Sequence, residues 1–328
     1  MTETPVKISY WGSPGISAAL LKVLIDDSRF QIEFVVSQPD KPRSGRGREV
    51  IPTPVKAVAL ENSIPVYTPV ALKKNTETIL SDWNSYKPAV HVVFAYGKII
   101  PEALFSSPAL GSVNFHASLL PLLRGASPIE HSLWHGFSKT GWTLQQVANR
   151  LDTGNILAQT IIDIEPADST STVAQKLFDQ LEKWSPEALL DYVAGKLTPI
   201  EQQEDMATHC GKIYPEMGKI EWSKTSTEIN NMARALQERP GVFSYWNKTR
   251  IKIFFDFQTA ALQPENSEVL PPGSISDISD NGIFITCADG LSLKVLYIQP
   301  DGKKRLSAKD FVNGYRVKLG DLFTSGIE

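Results

Sequence analysis

Apolar residues along this chain recur in two rhythms, and the change from one to the other marks its organisation. From the N-terminus, short apolar runs alternate with stretches of helical spacing. Residues 6–10 read as a strand, Leu20, Leu21 and Leu24 as the inner face of a helix, and 32–36 as a second strand. A helix over 53–61, a strand at 65–67 and a helix over 74–83 continue the alternation. Residues 89–95, AVHVVFA, are nearly all apolar, as expected of a strand buried on both faces, and His91 within them is expected to be a core histidine with satisfied partners. Strands follow at 113–116, 140–147 and 155–164, and a helix carrying Val173, Leu177, Leu181 and Leu190 closes the region near Gly195. Strand and helix in alternation predict a parallel sheet with covering helices, an α/β fold.

Beyond Gly211 the rhythm changes. A helix over 225–236 precedes short strands at 244–246, 250–258, 273–278, 282–288 and 291–299, separated by turn signals, a pattern that predicts a small β-barrel. Residues 196–211, with a proline and a run of Glu and Gln, read as a linker. The expected division is 1–195, 196–211 and 212–328, and a length of 328 residues independently favours two domains.

Composition narrows the function classes. The turn after the first strand, Gly12 to Gly15, lacks GxGxxG, which argues against a nicotinamide oxidoreductase on this sheet. Two cysteines, Cys210 and Cys287, make neither a disulfide framework nor a zinc site. His131 and His135 stand four apart on a helix without a further ligand pattern, so no metal is expected. The polar N-terminus leads straight into a strand, with no signal peptide or membrane span in view, so the expected location is the cytoplasm. A net charge of −3 argues against indiscriminate coating of nucleic acid. Basic residues are nevertheless concentrated in two places: a glycine-punctuated surface loop carries Lys41, Arg43, Arg46 and Arg48, and a later turn carries Lys303, Lys304 and Arg305.

Candidate chemistry gathers in residues 113–152. Asn114 and His116 are two apart at the end of an apolar run, so on a strand both leave the same face. Ser118 to Pro121 break that strand, and Arg124 and Gly125 delay the next helix until Ser127, a candidate N-cap for a helix to His135. Asp152, in the turn Leu151 to Gly154, is within loop reach of a strand-end histidine.

Asn114, His116, the SLLP of Ser118 to Pro121, Arg124 with Gly125 and the LDTG of Leu151 to Gly154 together resemble the signature of the folate-dependent formyltransferases. The similarity runs from about residue 6 to about residue 319. The resemblance implies a Rossmann-like catalytic domain with a mainly parallel sheet, followed by an OB-like barrel. It implies 10-formyltetrahydrofolate as formyl donor and, from the basic loop and second domain, the free amino group of initiator methionyl-tRNA as acceptor, in a monomeric enzyme. Asn114, His116 and Asp152 match the catalytic positions, while Tyr96, Gly97, Ile99, Ser118, Leu119, Leu120 and Pro121 match the folate pocket. Lys41, Arg43, Arg46, Arg48, Lys303, Lys304 and Arg305 match positions facing the tRNA. Formyl transfer builds negative charge on the formyl oxygen and needs a proton at the leaving nitrogen. Asn114 and His116 supply donors, and Asp152 helps relay protons. Formyltransferases acting on glycinamide ribonucleotide or an amino sugar, and formyltetrahydrofolate hydrolase, share that catalytic set and stay open. A non-catalytic folate or RNA module is a third class.

Overall fold

In the computed structural model, which describes residues 4–42, 50–259, 261–263 and 270–326, the alternating rhythm of the N-terminal half becomes one seven-stranded sheet. Its strands are β1 (Val6–Trp11), β2 (Phe30–Val36), β3 (Val66–Tyr67), β4 (Val90–Val93), β5 (Ser112–His116), β6 (Lys139–Gln146) and β7 (Ile156–Asp163). They lie in the order β7-β6-β5-β4-β1-β2-β3. β1 pairs in parallel with β2 and β4, β2 with β3, and β4 with β5, whereas β6 runs antiparallel to β5. Parallel neighbours need crossovers. These are α1 (Gly15–Asp26), α2 (Pro54–Glu61), α3 (Thr76–Trp83) and the short α4 (Glu102–Phe105). The chain builds outward from β1 to β3, then returns to the other side of β1 with β4. The β1/β4 boundary is therefore the point where strand order reverses, the place where open α/β sheets form ligand crevices.

The core follows the pattern read from the sequence. Ile8, Tyr10, Val90 and Val92 are fully buried on the central strands, and Leu20, Leu21 and Leu24 bury the inner face of α1. His91 is a core residue. Its Nδ1 is bonded to Ser9 Oγ, its Nε2 lies 3.1 Å from Ser107 Oγ, and its ring packs 5.3 Å from Trp11. Burial pushes its pKa down to about 3. Three details differ from expectation. β4 stops at Val93, and Ala95 already has φ +52 because the chain turns there into the crevice. Ser127 makes no side-chain cap for α5 (Pro128–Trp134), where Pro128 presets the first helical φ instead. In α6 (Thr170–Val193), Ala188 and Leu189 are buried and Leu190 is only half-buried, since nine residues beyond Leu181 is half a revolution out of phase.

The second rhythm forms an antiparallel sheet of β8 (Val242–Trp246), β9 (Thr249–Phe255), β10 (Ile275–Ser279), β11 (Gly282–Thr286) and β12 (Ser292–Pro300). The order is β8-β9-β12-β11-β10, with β13 (Leu306–Ser307) beside β12. Its two outer strands are joined by the C-terminal segment, which was not read as a strand. Tyr245 and Thr324 exchange backbone bonds of 2.9 and 2.8 Å on the β8 side, while Ile275 N donates to Asp321 O and Phe323 N to Gly273 O, both at 2.9 Å, on the β10 side. The sheet becomes a small barrel without open edges. Phe323, 1% exposed, packs against Trp222 and Phe311, the latter on α8 (Ala308–Tyr315). α7 (Ser226–Leu236) begins with the capping box formed by Thr225 and Glu228.

By packing, the chain divides into one unit of 1–125, 141–162 and 176–209 and another of 126–140, 163–175 and 210–328. α5 and the segments next to it join the second unit because they pack with α7: Arg234 donates to the backbone carbonyls of Asp168 and Glu165 at 2.7 Å each.

Phe323→Ala, by emptying the space this ring fills in the barrel, should destabilise the second unit by about 3 to 5 kcal/mol, measured by urea denaturation. Stability should also depend on pH through His91. Its proton is bound near pH 6.5 when unfolded but only near 3 when folded. Its contribution is therefore complete above about pH 6.5 and is lost as pH falls toward 3, at up to about 1.4 kcal/mol per pH unit. Between pH 7 and 5 the wild-type protein should lose more unfolding free energy than His91→Gln; equal losses would exclude His91 as the cause.

Candidate active site

Strand β5 carries Asn114 and His116 two residues apart, so the pleat sends both side chains to one face. On the neighbouring strand β6, Gln145 stands opposite Asn114 and Thr143 opposite His116. Directly opposed residues share a face, so the register gathers four polar side chains on one side of the sheet. His116 is 6% exposed. Its Nε2 is 2.9 Å from Leu123 O, and since a carbonyl only accepts, Nε2 carries the proton. Nδ1 is left as the nitrogen that can gain or lose a proton, and it faces Asp152 Oδ2 at 3.6 Å.

Asp152 has φ +53, a left-handed conformation that aspartate tolerates better than most residues. Both its oxygens are oriented: Gly125 N–H donates to Oδ2 at 2.9 Å and Gln145 Nε2 to Oδ1 at 3.0 Å. Gly154 closes the same turn, where a Cβ would lie 1.7 Å from Gln146 O, so no other residue fits. Asn114 differs from its neighbours. Half-buried at the centre of this face, its amide has no hydrogen-bond partner among the described residues and is available to a ligand.

The loop after β5 is tied down by two residues of the adjoining strands. Thr143 Oγ1 donates to Ser118 O at 2.7 Å and accepts from Leu120 N at 3.1 Å and Gln159 Nε2 at 2.8 Å. Gln159 Nε2 also donates to Leu120 O at 2.9 Å, and Ser118 Oγ to Leu122 O at 2.6 Å. Ser118 and Leu120 are thereby buried, Leu119 and Pro121 half-buried, with the Leu120–Pro121 peptide cis. The segment after β4 forms a second wall. Tyr96 is buried edge-on against Trp11 at 5.3 Å, and burial pushes its hydroxyl up to about 12. This segment thus presents main chain rather than the phenol. Gly97 has φ +77, and a Cβ there would sit 2.7 Å from the Gln38 amide, which donates to Tyr96 O at 2.7 Å. Ile99 is 86% exposed. Ser13, Pro14, Gln38, Pro39, Ile51, Thr53 and Ala95 line a cavity of about 440 Å³ at the reversal of strand order.

Other expected residues lie elsewhere. The backbone of Lys41 pairs with that of Ile51, whereas the Lys41 side chain and Arg43, Arg46 and Arg48 lie outside the described residues. Lys303 and Lys304 are exposed in the turn after β12. Arg305 is stacked rather than free, with its guanidinium carbon 3.8 Å from the Phe254 ring centre and 4.2 Å from that of Tyr297. The His131 and His135 rings are 5.7 Å apart, and among the described residues no three His, Cys, Asp or Glu side chains gather as a metal site. Sequence reading missed Gln38, Thr143, Gln145, Gln159 and Gln202. The only local signal was the polar pair Thr143 and Gln145 at period two within a buried strand. The arrangement offers an open amide donor, an imidazole with one exchangeable nitrogen and an oriented carboxylate: a set for stabilising negative charge and moving a proton.

Comparison with known proteins adds to this geometry. A family model described as formyl transferase matches residues 9–189, and one described as formyl transferase, C-terminal domain, matches residues 212–316. The chain is similar to the methionyl-tRNA formyltransferase of Leptospira interrogans, 38% identical over 323 residues that cover 97% of this chain and 100% of the relative. It is also similar to the methionyl-tRNA formyltransferase of Bacillus subtilis, 36% identical over 318 residues, with coverage of 96% and 97%. Among solved structures it shares its fold with WlaRD, a sugar 3N-formyl transferase crystallised in the presence of dTDP and 5-N-formyl-THF. There the TM-score is 0.63 at 20% identity, covering 92% of this chain and 100% of that one.

Thr143→Val keeps shape and removes a hydroxyl that serves three groups, two of them buried. It should cost about 1 to 3 kcal/mol of stability in thermal or urea unfolding, and Thr143→Ser should restore most of it. Equal stability of Val and Ser variants would show that the loop is held by other means.

Proposed function

The chain belongs to the formyl transferase family, and from that premise we propose that it moves the formyl group of 10-formyltetrahydrofolate to the free amino group of initiator methionyl-tRNA. The observation that carries the choice of acceptor is the 38% identity to a methionyl-tRNA formyltransferase over nearly the whole of both chains. The residues fit the donor. The cavity of about 440 Å³ opens at the reversal of strand order, Gly97 lets a flat ring approach main chain, and the Asn114 amide has no internal partner among the described residues. In this reading Tyr96, Gly97, Ile99 and Ser118 to Pro121 line the folate site.

The folate supplies an activated formyl group on a nitrogen that must leave protonated. Asn114 donates through its amide to the formyl oxygen as negative charge grows there. His116 keeps its Nε2 proton against Leu123 O, so the proton that travels is handled at Nδ1, beside Asp152 Oδ2. Asp152, held by Gly125 and Gln145, steadies the charge on His116 while the proton shed by the attacking amine passes to the folate nitrogen, as the new bond from the amine to the formyl carbon replaces the old one. The acceptor amine needs little activation, because a free α-amino group titrates near about 7.7 to 8.0 and an ester lowers that further.

Residues 1–195 carry the formyl transfer and 212–328 the RNA docking, and 196–211, which join them, bond back to the first. Lys41, Arg43, Arg46 and Arg48 approach the acceptor end, and Lys303, Lys304 and Arg305 approach the tRNA body. The enzyme acts as a monomer in the cytoplasm; among the described residues no helix is long and apolar enough to cross a membrane.

Incubation with 10-formyltetrahydrofolate should yield formyl-methionyl-tRNA from initiator tRNA, with little formate in the absence of an amine. Formate release without acceptor would indicate a hydrolase, and faster formylation of an amino sugar nucleotide or glycinamide ribonucleotide would move the assignment to those branches. His116→Ala should lower kcat by roughly 10² to 10⁴ with thermal unfolding little changed, and near wild-type turnover would sink the catalytic assignment.

A further inference from the structure

Residues 200–208, read from sequence as linker, are hydrogen-bonded to the catalytic centre. Ile200 exchanges backbone bonds of 2.8 Å each way with Ile156, which lays the segment along β7. Gln202 follows, 8% exposed. Its Nε2 donates to Asp152 O at 2.9 Å and Gly154 O at 2.7 Å, and its Oε1 accepts from Arg124 Nε at 3.0 Å. Arg124 is 2% exposed, and its Nη1 reaches Glu204 Oε2 at 2.9 Å. That contact holds the Glu204 carboxyl below the usual carboxylate range. Thr208 then brackets Leu123: its Oγ1 accepts from Leu123 N and its carbonyl from Arg124 N, both at 2.9 Å.

These bonds converge on the catalytic pair from two sides. The peptide joining Leu123 to Arg124 is planar, so fixing its N–H on Thr208 O also fixes the direction of its C=O, which receives His116 Nε2. Leu123 has φ +58, a conformation a β-carbon disfavours and one that needs such bracing. On the other side, Gln202 grips both carbonyls of the left-handed turn at Asp152. That grip sets the direction in which the carboxylate leaves the main chain. We propose that this segment is part of the catalytic apparatus, with Gln202 the positioning residue for Asp152 and Thr208 the positioning residue for His116. Displacing a reacting group by about 1 Å costs on the order of 10²-fold in rate. A side chain that touches no substrate therefore governs turnover here. The inference rests on the catalytic reading of His116 and Asp152 given above.

A double-mutant cycle in the full chain tests it, with kcat and both KM values measured for Gln202→Ala, Asp152→Asn and the pair. Gln202→Ala should lower kcat roughly 10- to 100-fold, with KM for folate and for tRNA within about twofold. In the Asp152→Asn background the same substitution should change kcat by less than about twofold, because its route to the chemistry is already gone. Gln202→Glu keeps the acceptor for Arg124 but cannot donate to the two carbonyls, so it should repeat the kcat loss if the alanine variant folds poorly. Thr208→Val should lower kcat while Thr208→Ser restores it. Equal losses from Gln202→Ala in both backgrounds, or a loss confined to KM, would overturn the proposal. Full activity of Gln202→Ala beside an inactive Asp152→Asn would overturn this inference alone, whereas full activity of Asp152→Asn would overturn the catalytic reading and this inference together.

Discussion

The antiparallel register of β5 on β6 is the constraint on which the centre depends. It sets Thr143 opposite His116 and Gln145 opposite Asn114, and from those two positions come the anchors of the loop at Ser118 to Leu120 and of the Asp152 carboxylate. A slip of one residue would turn Thr143 and Gln145 to the other face of the sheet and release both. From β5 across to β3 the strands pair in parallel, and β6, running antiparallel to β5, returns beside it with the polar positions of both strands on one side.

Polar groups buried this deeply are costly unless paired, and here the pairing is nearly complete. Thr143 uses its donor and accepts twice, Gln202 uses both ends of its amide, and both Asp152 oxygens receive N–H groups. Such satisfaction makes the centre rigid, since moving one member leaves another unpaired in a low-dielectric setting. Against that background Asn114, His116 Nδ1 and Arg124 Nη2 stand out as groups with capacity left over. A centre that must meet developing charge without reorganising gains from this contrast: rigid support around a few open valences.

The second unit solves a different problem. An antiparallel sheet of this size has two edges, and here the segment 320–324 bonds to both. Two of its arginines lie over rings, Arg305 over Phe254 and Tyr297 at the surface and Arg250 over the buried Phe243 at 3.8 Å. Stacked guanidinium groups keep their charge while losing little further freedom on meeting a phosphate or a base.

Much of this was legible in the chain itself. Buried strands such as 89–95 and the helix of Leu20, Leu21 and Leu24 announce themselves because side-chain period maps directly onto burial, and that relation is local. Asn114, His116 and Asp152 were legible for a similar reason: two lie at period two on one strand, and the third sits in a turn with a glycine that main-chain contact makes irreplaceable. The sequence by itself thus determined the alternation of elements, the change of rhythm near residue 211 and the candidate set of Asn114, His116 and Asp152. Tertiary structure alone decided that 200–208 lies against the centre, that Gln202 and Thr208 hold its loops, that α5 packs with the second unit and that 320–324 closes the barrel. These are hydrogen bonds between residues up to 85 positions apart, made by glutamines, threonines and peptide groups whose local pattern is that of any loop. A partner so distant leaves no periodic trace, and only the folded chain brings the two together.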